Sequence, residues 1–349
     1  MGLDLFSLSD SGTIRRVRGA TGIGSLPGTD IDEAARVVAG ELPELPHVPE
    51  LPARGVGADM IGRTAGLLVD LAIEVITSGY RVTPRAGRDH RRAIDLLRGD
   101  LDAFDEALER AGARPETVKV QAAGPWTLMS NIELMRGHRV LTDRGAVKEF
   151  SESLAEGLRQ HAAEVARRTG AKVVVQLDEP GLPAVLEGLL PTPSKLGTVP
   201  AVPAPDARGV LATVIDALGD HEVVVHCCAP QPPLTLLREA GAAAIAFDAT
   251  LVRGAAALDE IGETWEAGTT LVLGLVPSTD PGAPVTVKDV GQRAFTLADR
   301  LGFPRSILAE KALPTPTCGL AGATAGWVKR ALALTRDLSS AFSEPPEGW

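Results

Sequence analysis

Aromatic residues make up only 3% of this 349-residue chain, so its core must be built from Val, Leu, Ile and Ala rather than from stacked rings. Branched and small side chains of that kind suit the layered interior of an α/β barrel. Cysteine is rarer still. Three in so long a chain cannot form a disulfide framework, and an odd number in a reducing compartment points to free thiols or metal ligands. No run of about 18 apolar residues occurs, so no membrane-spanning helix is expected. Arg15, Arg16 and Arg18 are not followed by an apolar stretch, so a secretory leader is not expected and a cytoplasmic location is. Positive charge is in deficit. With a net charge of −10 and both signs interspersed, no basic stripe is offered to a nucleic-acid backbone. Internal repeats and low-complexity segments are absent.

What is present is alternation. Apolar runs rich in β-branched residues occupy 118–123, 171–178, 222–228, 243–248, 270–276 and 306–312. Helical periodicity is readable at 30–40, 58–78, 89–112, 143–169, 206–219, 231–240, 285–301 and 321–338. Strands that alternate with helices favour a parallel sheet. At 44% hydrophobic content the expectation is one (β/α)8 TIM barrel over 19–338, an N-terminal extension at 1–18 and a fraying tail at 339–349. The stretch 191–206 holds five prolines and reads as a loop over the barrel mouth. Gly22-Ile23-Gly24-Ser25-Leu26-Pro27 lacks the third glycine of a dinucleotide-binding turn, which argues against that cofactor.

The strand ends carry the chemistry. Side chains alternate faces along a strand, so Val224, His226 and Cys228 share one face and Val223, Val225 and Cys227 the other. The same alternation pairs Val174 and Gln176 with Asp178, and Ala244 and Ala246 with Asp248. One face is apolar throughout, and the other ends in a polar group at the C-terminal end, where barrel enzymes place their sites. His226 and Cys228 lie about 7 Å apart along the strand, within reach of one tetrahedral ion. Cys318 follows a Pro-Thr-Pro-Thr turn after the last expected strand. Nitrogen and thiolate donors select zinc. Asp248 is a candidate fourth ligand.

Five segments, in order, resemble the C-terminal catalytic barrel of cobalamin-independent methionine synthase: Ile23-Gly24-Ser25, Gly124-Pro125-Trp126-Thr127, Gln176-Leu177-Asp178-Glu179-Pro180, His226-Cys227-Cys228 and Cys318-Gly319-Leu320. The resemblance implies a zinc enzyme that transfers a methyl group to the thiol of homocysteine, with His226, Cys228 and Cys318 as ligands. It implies that Ile23 and Ser25 meet the amino-acid carboxylate, that Asp178 anchors its ammonium, and that Glu50 is a second acidic anchor.

Departures from the family pattern concern the metal and the donor. Asp248 stands where the family has a glutamate ligand. The loop Val276-Pro277-Ser278-Thr279-Asp280 lacks the histidine the family keeps for the methylfolate donor, leaving Asp280 or Glu179 as candidate acids. The family's N-terminal barrel finds no match, so a corrinoid donor, which leaves without protonation, is expected to serve better than methylfolate. Two rival readings are a metal-free lyase resembling uroporphyrinogen decarboxylase, disfavoured by the thiols, and a barrel that binds zinc or an amino acid without turnover.

Overall fold

The computed structural model describes residues 19–192 and 194–345; the expected extension 1–18 and the end of the expected tail lie outside them. In chain order the strands are β1 (Ala72–Ile76), β2 (Gly79–Thr83), β3 (Thr117–Ala123), β4 (Ile132–Glu133), β5 (Lys172–Asp178), β6 (Val223–His226), β7 (Ala244–Asp248), β8 (Thr270–Val276) and β9 (Ala312–Pro316). The helices are α1 (Ile31–Glu41), α2 (Met60–Ala65), α3 (Arg88–Ala111), α4 (Pro125–Asn131), α5 (Arg144–Thr169) and α6 (Leu182–Leu186). They continue with α7 (Ala204–Ala217), α8 (Leu234–Glu239), α9 (Gly254–Glu266), α10 (Val287–Arg300), α11 (Ile307–Lys311) and α12 (Ala325–Ser343).

The expected eight-stranded barrel is realised in part, as a curled parallel sheet of six strands ordered β3-β5-β6-β7-β8-β9. Two extended segments continue beyond β3 through isolated bridges, His47 to Lys119 and Ser25 to Glu50. Val48 N–H donates to Lys119 O at 3.1 Å, and Leu26 N–H to Glu50 O at 2.8 Å. The reason these segments are not full strands is legible in their residues. Pro46, Pro49 and Pro52 have no N–H to give to a ladder, and Gly24 sits at φ +153°. At the other edge, Leu320 N–H donates to Ser25 O at 2.8 Å, which brings the segment after β9 against the start of the described chain. A Cβ on Gly319 would collide with Ser25 Oγ, so a larger residue there would force the serine side chain to turn away.

The two faces of the sheet separate as strand alternation dictates. Val174, Val224, Ala244, Ala246, Val272 and Leu313 form an inner cluster of their own. Val173, Val175, Val223, Val225, Ile245 and Phe247 belong to the larger core under the helices. Each Val, Leu or Ile buried this way stabilises by about 1.5–3 kcal/mol over exposure. Helix ends are set locally. Asp143 caps α5 by accepting from Ala146 N–H at 3.0 Å, and Gly170 ends it at φ +70°. Thr286 and Asp289 form a reciprocal capping box on α10.

Three boundaries differ from expectation. The helix expected over 58–78 stops at Ala65, and Ala72–Thr83 is an antiparallel hairpin in which Ile76 faces Gly79. Its Ile73, Val75 and Val82 favour strand over helix. The strand expected at 306–312 is instead the helix α11 followed by β9, which carries Pro314 and Pro316. An edge strand tolerates proline because one of its sides has no ladder to complete. The last helix runs to Ser343 rather than 338, held by Phe342, which is buried edge-on against Phe295 at 6.2 Å. Among the described residues no helix is long and apolar enough to cross a membrane.

Candidate metal centre and amino-acid site

His226 is the last residue of β6, and Cys228 lies two residues beyond it. Cys318 comes from the turn after β9. One donor atom from each of these three lies within 4.8 Å of the other two. The sulfurs of Cys228 and Cys318 are 3.3 Å apart in hydrogen-bond contact. Both cysteines are half-buried, whereas Cys227 is fully buried on the opposite face, in the outer core. Burial pushes the Cys227 thiol up to about 12, so it behaves as a small apolar side chain.

Asp178 ends β5 in register with His226. Its Oδ1 accepts from His226 Nδ1 at 2.7 Å. That leaves His226 Nε2 buried with no hydrogen-bond partner, in company with two thiols. An orphaned imidazole nitrogen beside paired sulfurs, its other nitrogen bonded to a carboxylate, is the donor set a structural chemist would assign to zinc. The residues fit the metal. The electrostatics favour positive charge among these donors. The contact with Cys228, followed by that with His226, holds the Cys318 thiol well below its ordinary value. The same contact and burial push Cys228 up. Burial opposes charge on His226, yet the hydrogen bond to Asp178 and the contact with Cys318 outweigh it and raise His226 to about 9.

A buried polar layer lies beneath these groups. Gln176 Nε2 donates to Asp178 Oδ1 at 2.7 Å and to Ile23 O at 2.8 Å. Lys119 Nζ donates to Gln176 Oε1 at 2.7 Å and to Ile23 O at 3.0 Å. Burial lowers Lys119 to about 8, against the pull of Asp178 and Glu50. Glu50 is paired with Ser25 by the isolated bridge, and its carboxylate lies 3.4 Å from the Arg63 guanidinium. Burial raises Glu50 to about 7, with Arg63 opposing. Arg63 also bonds Asp100, whose other partner is Arg54 at 2.7 and 2.9 Å. Ile23, Asp178 and His226 are thus joined through Gln176, while Ser25 and Glu50 are joined by their backbone bridge. Gln176 was read from sequence on the inner face beside Asp178, whereas Lys119, Arg63 and Asp100 were not singled out; the signal for Lys119 was a charged residue inside the β-branched run 118–123.

Three further candidates stand elsewhere. Asp248 is not among the convergent donors. Its Oδ1 accepts from Thr250 N–H at 2.8 Å and Thr250 Oγ1 at 2.6 Å, and it lines a cavity of about 370 Å³ whose walls include none of His226, Cys228 and Cys318. A short side chain two residues before a threonine closes a local turn in preference to a longer reach. Asp280 is exposed, and its two oxygens accept from Thr324 N–H at 3.0 Å and Thr324 Oγ1 at 3.1 Å. Glu179 is fully buried. It accepts from Trp126 N–H, Thr127 N–H and Thr127 Oγ1 at 2.7 to 2.9 Å, supplying α4 with the cap that Gly124 cannot.

Comparison with known proteins agrees with this geometry. Residues 19–341 match the family described as cobalamin-independent synthase, catalytic domain. The chain belongs to that family. Among solved structures, the B12-independent methionine synthase from Shewanella sp. W3-18-1 in complex with selenomethionine is similar with a TM-score of 0.58 at 12% identity, covering 94% of this chain and 98% of that one. At such identity the likeness is one of fold. A GH113 β-1,4-mannanase (TM-score 0.40, 10% identity, 94% and 99% covered) is a looser match. So is a 3-keto-D-glucoside 4-epimerase from E. coli (0.37, 10%, 69% and 86%). Neither carries weight here. No curated protein matches the chain by sequence. The segments that mark the family, from Ile23 to Leu320, lie within the matched span.

Proposed function

We propose that this chain is a zinc-dependent methyltransferase that passes a methyl group to the thiol of homocysteine, forming methionine. The observation that carries the reading is the convergence of His226, Cys228 and Cys318 beside the Asp178–His226 bond, in a chain of this family. His226, Cys228 and Cys318 would hold the ion. Bound zinc would keep a small thiol in its nucleophilic thiolate form at neutral pH. Asp178 orients the imidazole so that Nε2 faces the sulfurs. The backbone of Ile23 and the hydroxyl of Ser25 would meet the amino-acid carboxylate, while Glu50 and Asp178, both acidic and buried, would meet its ammonium.

The placement of the candidate acids bears on the donor. Asp280 is engaged by Thr324 and Glu179 by the start of α4, so neither is free to protonate a leaving nitrogen. That supports a donor whose leaving group departs without a proton, a corrinoid or a sulfonium compound, over a methylfolate. The test is methionine formation from homocysteine by zinc-loaded protein, with methylcobalamin and methyltetrahydrofolate supplied in turn. Turnover with methylcobalamin supports the reading in full. Turnover with methylfolate alone keeps the methyltransferase and overturns the donor. No turnover with either, and no binding of homocysteine, overturns the function.

A further inference from the structure

A lysine deep inside a protein is costly unless its charge is met, and Lys119 is 1% exposed on the inner face of β3. Neither amino-acid binding nor metal binding requires a cation at that depth. An ammonium has three N–H donors and no acceptor. Here all three are directed: to Gln176 Oε1 at 2.7 Å, Ile23 O at 3.0 Å and Gln121 Oε1 at 3.4 Å. The contact with Gln176 has a directional consequence. Because its oxygen faces the lysine, its NH2 group must face away, and there it donates to Asp178 Oδ1 and Ile23 O. With the amide reversed, Lys119 would confront a donor and Asp178 an acceptor, and both bonds would be lost. Asp178 Oδ1 in turn accepts from His226 Nδ1.

We propose that Lys119 is a positioning residue for this site: by fixing the orientation of the Gln176 amide, it holds both the Asp178–His226 pair and the Ile23 turn. One buried cation would then set the aim of a metal-ligating imidazole and the shape of the segment that receives the amino acid. The proposal rests on the reading of this site as one that binds a metal and an amino acid.

The test uses the full chain, with Co2+ as the metal probe and methionine as the amino-acid probe. Lys119→Met removes the donors and keeps the length. Gln176→Glu keeps the lysine, its acceptor and the volume, but takes away the donor to Asp178. Lys119→Gln serves as a milder third variant. Variants are first shown to be folded by circular dichroism. Each folded variant should bind Co2+ about 10–100-fold more weakly, the range for partners that orient a metal ligand. Its cobalt–thiolate absorption should shift in position, and methionine affinity should fall about tenfold, the size of one charged hydrogen bond. A lysine with only a packing role would lower the melting temperature and leave the cobalt spectrum alone. Wild-type binding of both probes by any folded variant overturns the proposal. A wild-type chain that binds neither probe overturns the functional reading on which it rests.

Discussion

Asp178 Oδ1 and His226 Nδ1 meet at 2.7 Å from matching positions on neighbouring parallel strands, and this bond decides which nitrogen of the imidazole is left for a ligand. With Nδ1 donating to the carboxylate, Nε2 is the nitrogen left for a ligand, and giving up its proton would free its lone pair for a metal shared with Cys228 and Cys318. Bonding of this kind fixes the tautomer and raises the basicity of the ring. It also adds to the part played by Asp178, for which the family resemblance implied the role of ammonium anchor.

Asp178→Asn should therefore act on the metal as well as on the amino acid. The carboxamide is a weaker acceptor and can turn its NH2 toward His226. Zinc affinity, read by competition with a chromogenic chelator, should fall about 10–100-fold. Methionine affinity, read by calorimetry, should fall about tenfold or more. Unchanged zinc affinity would show that His226 is held without this bond.

Adjacent cysteines should behave in opposite ways. Cys228→Ser, like Cys318→Ser and His226→Ala, should strip the purified protein of most of its zinc. Cys227→Ser should leave the metal in place and instead lower stability by about 1–3 kcal/mol, because it puts a hydroxyl into the apolar outer core. Equal zinc loss in Cys227→Ser and Cys228→Ser would contradict the face assignment.

Asp248→Asn should keep its metal. Its carboxylate closes the turn onto Thr250, so the expected cost is about 0.5–1.5 kcal/mol of stability, with zinc content unchanged within the error of elemental analysis. A sharp fall in zinc would mean that the aspartate swings into the site on loading.

Acid should destabilise the fold through buried neutral histidines. Burial, with Arg63 adding to it, lowers His161 to about 3; burial, with Lys119 adding, does the same for His47. The ordinary value is near 6.5, so between pH 6.5 and 3 the unfolded chain binds the extra protons and the native state loses stability as pH falls. Each histidine contributes at most about 1.4 kcal/mol per pH unit. His161→Gln should flatten the loss measured by urea midpoints between pH 6.5 and 4.5. Parallel curves for the two proteins would refute the assignment.

Much of this was legible in the residues. The polar-ended face of 171–178, 222–228 and 243–248 is the inner face, because period-two alternation leaves a strand between two packed layers little choice. The candidate ligands His226, Cys228 and Cys318 converge because strand ends of a curled sheet point to a common mouth. Asp248 shares that alternation but not the outcome, since a nearby threonine outcompetes a distant site for a short side chain. The segments around Ile23 and Val48 did not read as sheet, because glycine and proline suppress the hydrophobic run even where a few backbone bonds survive. Gln176 was read on the inner face beside Asp178, but Lys119 stayed hidden for a different reason. A polar residue in an apolar run looks like a solvent-facing position until its partners, which come from distant parts of the chain, are known.

The bond from Leu320 N–H to Ser25 O joins the turn that presents Cys318 to one of the earliest described segments. A ribosome makes Ser25 first, His226 and Cys228 much later, and Cys318 another 90 residues after Cys228. The three candidate metal donors therefore cannot meet until Cys318 has been made. Until then, the early glycine turn waits for a neighbour that has yet to be translated.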